Sequence, residues 1–161
     1  RRFLERSQAA DGSWAPLWFG AQSASDEINR VYGTSRAVLA LDERSETVAL
    51  RGADWLLAAG YPDGSWGGSL GGVGSSEETG LAVEALAELA MRFPDRVTDT
   101  WRERLAAGAN WLAARVEAGA WTEPEPIGFY FAKLWYFERL YPRIYTVAAL
   151  EAVTRWRARQ S

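Results

Sequence analysis

Apolar residues recur at three- and four-residue intervals along most of the chain, and each such stripe predicts a helix. Residues 2–8 read as the last turns of one. Tyr32, Val38 and Leu41 mark a second, from about 32 to 41. Val48, Leu50, Trp55, Leu56 and Leu57 mark a third, with Ser45 as its N-cap and an end near Ala59. The fourth starts at Ser75 or Ser76. It carries Glu77 and Glu78 in its first turn, where negative charge suits the helix dipole. Thr79, Val83, Leu86 and Ala90 continue its stripe to about Met91, and Pro94 stops it. A fifth, from Thr98 or Asp99 to Arg115, carries Trp101, Leu105, Trp111 and Leu112. Pro142 suits the first turn of a last helix reaching about Trp156. No stretch alternates convincingly as a strand. Six to seven helices joined by turns predict an all-α array of hairpins, coiled as a solenoid or closed as a toroid.

The breaks between helices repeat. Gln8-Ala9-Ala10-Asp11-Gly12-Ser13-Trp14 returns as Gly60-Tyr61-Pro62-Asp63-Gly64-Ser65-Trp66, and in eroded form as Val116-Glu117-Ala118-Gly119-Ala120-Trp121. Each copy follows an aromatic-Leu pair near a helix end: Phe3-Leu4, Trp55-Leu56 and Trp111-Leu112. The tryptophans are 52 and 55 residues apart, a period typical of repeat architectures. Asp-Gly-Ser is turn chemistry in the first two copies. A long loop, residues 15–30, follows the first copy, and loops of that length are often functional. Residues 60–74 are glycine-rich but lack the Lys and Ser or Thr of a phosphate-binding P-loop.

Composition narrows the chemistry. The 161 residues suffice for one domain, 1–161, with a real core. Cysteine and histidine are absent, which excludes thiol and imidazole catalysis, disulfides and an ordinary zinc site. The net charge of -3 and the lack of a dense basic run before Arg155 give nucleic acid no footing. No apolar run is long enough to span a membrane. Nine tryptophans is a heavy load, and such residues either fill a core or line a cavity. Seven of the sixteen residues from Ile127 to Pro142 are aromatic. The first residues already lie inside a repeat, so a longer polypeptide is expected.

Phe3-Leu4, Gln8, Gly12 and Trp14, with the two altered copies, resemble the QW motif of squalene-hopene and oxidosqualene cyclases. Val31-Tyr32-Gly33-Thr34 resembles the family's Tyr-Gly-Thr. Gly128-Phe129-Tyr130-Phe131 to Tyr141-Pro142 resembles its C-terminal aromatic segment. The whole chain is similar to the C-terminal half of a squalene-hopene cyclase-like class II terpene cyclase. The resemblance implies a partial α/α toroid in which Gln8, Trp14, Trp66 and Trp121 brace adjacent outer helices.

It also implies a chemistry. Class II cyclases protonate an alkene or epoxide and pass carbocations along a polyprene. Aromatic faces attract those cations without capturing them. The family's acid lies in an Asp-x-Asp-Asp motif, which this sequence lacks, so the acid is expected on an N-terminal domain of the longer protein. By the same resemblance Tyr32 is the tyrosine beside that acid. Trp18, Phe19, Phe129, Tyr130, Tyr136 and Phe137 are candidates for the cavity wall. Core packing is the alternative for each. Asp26, Glu27 and Arg30 read as solvated or as staples of the long loop, with contact to a polar substrate end or to the acid's neighbourhood as the alternative. No cofactor and no metal are implied. The implied partner is an isoprenoid lipid, in a cytoplasmic protein that allows contact with the inner membrane face and homo-oligomers. Two other readings stand beside this one. One is a non-catalytic helical-repeat binding module. The other is part of a cyclase acting on a prenyl diphosphate, of the drimenyl or copalyl diphosphate synthase type. The absent Cys and His argue against a protein prenyltransferase β subunit.

Overall fold

The structure is a computed structural model, and it describes residues 1–69 and 72–160. Gly71, in the glycine-rich stretch, lies outside them. Six helices carry the fold: α1 (Arg2–Ser7), α2 (Arg30–Ala40), α3 (Glu46–Ala59), α4 (Ser76–Arg92), α5 (Asp99–Glu117) and α6 (Tyr141–Ala158). Helices α2, α4 and α6 form an inner row, with α4 packed between the other two. Helix α3 lies outside α2 and α4, and α5 lies outside α4 and α6. The three hairpins make a segment of an α/α toroid, as the repeats predict. Helix α4 is buried along nearly its whole length, as an apolar helix with neighbours on every side must be.

The repeated loops are braces. Trp14 donates from its indole Nε1 to the Leu4 carbonyl at 2.9 Å, and its own backbone N–H is held by Thr34 Oγ1 at 3.0 Å. Trp66 repeats this pattern, from Nε1 to the Leu56 carbonyl at 2.8 Å and from N–H to Thr79 Oγ1 at 2.9 Å. Each indole also lies against the next outer helix at a glycine. A Cβ on Gly52 would come within 2.8 Å of the Trp14 ring, and one on Gly108 within 2.9 Å of Trp66. Each loop therefore ties one outer helix to the next. Gln8 adds bonds from Nε2 to the carbonyls of Gly12 and Val48 at 2.9 and 3.0 Å. Gly60 stands in its place in the second copy and makes no such bonds. An arginine of the next outer helix serves both loops, Arg51 donating to the Ala9 carbonyl at 3.2 Å and Arg104 to the Tyr61 carbonyl at 2.9 Å. Trp121 sits half-buried in a short 3-10 turn, and its indole N–H makes no hydrogen bond to the described residues.

One expectation fails. Strands exist, two of them in the aromatic run, joined by a short 3-10 turn at Tyr130–Ala132. Phe19–Ala21 (β1), Pro126–Phe129 (β2) and Leu134–Phe137 (β3) form an antiparallel sheet in the order β1-β2-β3. The run hid its period because both faces of the hairpin are apolar, so alternation by residue type never appears. A second, smaller departure is Ser45. It precedes α3 without capping it and donates its hydroxyl to Glu5 Oε1 at 2.9 Å. Among the described residues no helix is long and apolar enough to cross a membrane.

Candidate functional site

The sheet covers the N-terminal ends of the three inner helices, and the aromatic side chains meet there. In register, Phe19 pairs with Phe129 and Phe129 with Leu134, while Ile127 pairs with Tyr136. Directly opposed residues share a face, and so do residues two apart. Phe19, Ile127, Phe129 and Tyr136 therefore lie on one face, toward the helices. Gly20, Gly128 and Trp135 are aligned on the other, where the Trp135 ring crosses Gly20 closely enough that a Cβ there would meet it at 2.8 Å.

Helix α2 starts at this face because Asn29 caps it, accepting the Tyr32 N–H on Oδ1 at 2.9 Å. The cap fixes Tyr32 in the first turn. Its ring lies 4.5 Å from that of Phe19, tilted by 36°. Burial raises the Tyr32 phenol above its ordinary range. Phe129 lies 6.2 Å from Tyr136 and 6.0 Å from Phe131, within the range of favourable aromatic pairs.

The Phe19–Tyr32 pair stands between two spaces. On one side is an apolar groove of about 410 Å³, with Leu4, Pro16, Leu17 and Trp18 in its walls. That volume falls within the range of small-molecule sites. On the other side is a cavity of about 10 Å³ reached by Glu77, Glu78, Tyr141 and Tyr145. The largest cleft, about 740 Å³, lies elsewhere, beside the motif loops and Trp55. Of its three charged residues, Asp26 and Arg30 pair with each other at 2.6 Å and Asp11 accepts from Ser13. It has none of the aromatic cluster, so size alone is a poor guide here.

The structure thus gathers Phe19, Tyr32, Phe129 and Tyr136, and places Trp18 on the groove's rim with its side half exposed. It does not gather the other two candidates. Phe137 is 64% exposed and alternates onto the outer face. Tyr130 lies just past β2, its hydroxyl 3.4–3.5 Å from the carbonyls of Leu17 and Pro16. Glu27 pairs with Lys133, so the long loop is stapled to the hairpin.

The sequence reading missed Glu77, Tyr141 and Tyr145 as site residues. Glu77 reads in the sequence as a first-turn carboxylate suited to the helix dipole, yet it is 2% exposed. Burial, then Glu78 beside it, pushes its carboxyl up to about 9. Glu78 is buried too, but its oxygens accept from Asn29 Nδ2 at 2.7 Å and from Ser75. The sequence carried no signal for this, because Glu84 and Glu88 follow Glu77 at helical spacing and make it read as part of a polar stripe. Tyr141 and Tyr145 stack one turn apart, with ring centroids 5.4 Å apart. No group of carboxylates among the described residues is arranged to hold a metal ion.

Comparison with known proteins agrees with this fold. Residues 1–157 match the family model described as the squalene-hopene cyclase C-terminal domain. The chain is 31% identical over 146 residues to a copalyl diphosphate synthase of Streptomyces cyslabdanicus, an alignment covering 88% of this chain and 23% of that protein. It superposes on ent-copalyl diphosphate synthase from Streptomyces platensis with a TM-score of 0.68 and 25% identity, over 96% of this chain and 26% of that one. The chain therefore spans about a quarter of the length of these relatives.

Proposed function

The chain belongs to the squalene-hopene cyclase C-terminal domain family, and from that membership we propose that it forms one wall of the reaction cavity of a class II terpene cyclase. The observation that carries this reading is the convergence of Phe19, Tyr32, Phe129 and Tyr136 over the N-terminal ends of the inner helices. Their π faces are worth ~0.5–2 kcal/mol each to a passing carbocation, and a ring face presents no lone pair to capture it. The carboxyl nearest the cluster fits as well. Glu77 is held neutral by burial, so it cannot trap a cation as a carboxylate would. Tyr32 is the residue that serves the acid, which the remaining N-terminal part of the polypeptide supplies. The reaction is an intramolecular cyclisation, and the chain alone, without the acid, does not start it.

The substrate is a prenyl diphosphate rather than squalene. Two relatives named as copalyl diphosphate synthases, one by sequence and one by structure, support that choice. The open groove beside Trp18 then takes part of the apolar prenyl chain. The test is to incubate the full-length polypeptide with geranylgeranyl diphosphate, farnesyl diphosphate and squalene, and to identify the products. A bicyclic diphosphate from one of the first two is expected. Turnover of squalene alone would reverse the substrate choice. No turnover of any, by a folded protein with its acid motif intact, would leave a helical-repeat binding module as the better reading.

A further inference from the structure

Glu77 is buried at the base of the aromatic cluster with half of its hydrogen-bonding capacity unused. Oε1 accepts the backbone N–H of Glu125 at 3.3 Å. Oε2 is buried and meets no partner among the described residues. Such an atom costs stability unless something fills the gap. The adjoining cavity measures about 10 Å³, the room that a single water occupies. Tyr32 of α2 and Tyr141 and Tyr145 of α6 reach the same space. A buried water needs two to four polar partners, and this cavity offers them. Glu78 does not compete, because Asn29 and Ser75 already occupy its oxygens.

We propose that Glu77 is a positioning residue for the proton route through Tyr32: its carboxyl holds one water in the cavity they share, and that water orients the Tyr32 hydroxyl. The proposal rests on the reading of Tyr32 given above. The surroundings keep Glu77 able to donate. The titratable groups that face it are Glu78 on its own helix, Glu125 on the connector, Glu138 before α6, and the three tyrosines. None of these is a cation. Arg36 faces Tyr32 and Tyr145, and the Glu125 N–H is the group that favours the ionised form of Glu77, an effect that burial outweighs. At neutral pH the carboxyl gives a hydrogen bond to the water, and the water gives one to the Tyr32 oxygen. The phenolic proton is then directed outward.

The test uses the full-length enzyme with its prenyl diphosphate substrate. Glu77→Leu removes the water's anchor and should slow kcat about tenfold, the effect of one lost hydrogen bond, with KM unchanged. Glu77→Gln keeps a donor and an acceptor. It should stay within about twofold of the parent at pH 7 and lose the fall in kcat that the parent shows as pH rises through about 9. On a Tyr32→Phe background, Glu77→Leu should cost nothing further. Equal losses from Glu77→Leu on both backgrounds would overturn the proposal. So would a Gln variant that melts no lower than the parent yet is as slow as the Leu variant. The two readings fail separately. Full activity in Tyr32→Phe sinks the role of Tyr32 and, with it, that of Glu77. A slow Tyr32→Phe beside a fast Glu77→Leu sinks only the role of Glu77.

Discussion

Asn29 joins two inner helices with one side chain. Its Oδ1 caps α2 by accepting from the Tyr32 N–H at 2.9 Å, and its Nδ2 donates to Glu78 in the first turn of α4 at 2.7 Å. Asn29 and Glu78 are both buried. Asn29→Ala therefore removes a cap and leaves a buried carboxyl short of a donor. Together these should cost about 2–4 kcal/mol, read as a lowered midpoint in denaturant unfolding. Because the cap also places Tyr32, the Phe19–Tyr32 contact should loosen with it.

The two braces predict a gradient among the tryptophans. Trp66 is fully buried, its N–H is bonded to the Leu56 carbonyl, and its ring lies against α5. Trp66→Ala should cost about 3–5 kcal/mol. Trp66→Phe keeps most of the packing but strands the carbonyl, at about 1–2 kcal/mol. Trp121 is half-buried and bonds nothing through its indole, so Trp121→Phe should change stability by less than about 1 kcal/mol. Equal losses at Trp66 and Trp121 would show that the third loop is a full brace after all.

Helices α4 and α6 touch backbone to backbone at Gly80. A Cβ there would stand 2.6 Å from the Tyr145 carbonyl carbon. No side chain can swing away to make room. Gly80→Ala should push α6 outward and cost about 1–3 kcal/mol, although alanine is the better helix former. Thermal unfolding reads the loss. Near-ultraviolet circular dichroism reads the altered setting of the tyrosines.

Stability should carry the mark of Glu77. Its folded-state carboxyl titrates at about 9, far above the ordinary carboxylate range. A raised folded value means that its stabilising contribution is complete below the unfolded carboxylate's titration, near 4.5. The contribution is then lost as pH rises toward 9, where the buried group ionises. Glu77→Gln removes that dependence. The variant should match the parent near pH 4 and exceed it at pH 8, by on the order of 2 kcal/mol. A parallel pair of stability curves from pH 4 to pH 9 would contradict the burial and neutrality assigned to Glu77.

Much of this fold was written in apolar spacing. The stripe Val83, Leu86 and Ala90 located α4, and Ser75 did cap it, accepting from the Glu78 N–H at 3.0 Å. The repeated Asp-Gly-Ser-Trp located the braces, since each glycine there has a positive φ, +96° at Gly12 and +92° at Gly64. The hairpin was not legible. Ile127, Phe129 and Tyr136 face inward while Trp135 and Phe137 face outward, and Leu134 is apolar but exposed, so residue type does not alternate and the two-residue period vanishes. Of the site, Tyr32 and Phe129 were legible through resemblance. Glu77 was not, because a glutamate in a helix's first turn is ordinarily solvated. Only the packing of α2, α6 and the sheet around it makes it a buried acid.

The central claim is that the inward aromatic face handles a carbocation. Product analysis of the full-length polypeptide carrying Phe129→Ala or Tyr136→Ala, with the substrate that the parent turns over, tests it most directly. The account predicts prematurely terminated or rearranged cyclic products and kcat reduced at least tenfold, about 1.4 kcal/mol of lost cation stabilisation. Parent products at the parent rate from both variants would contradict it.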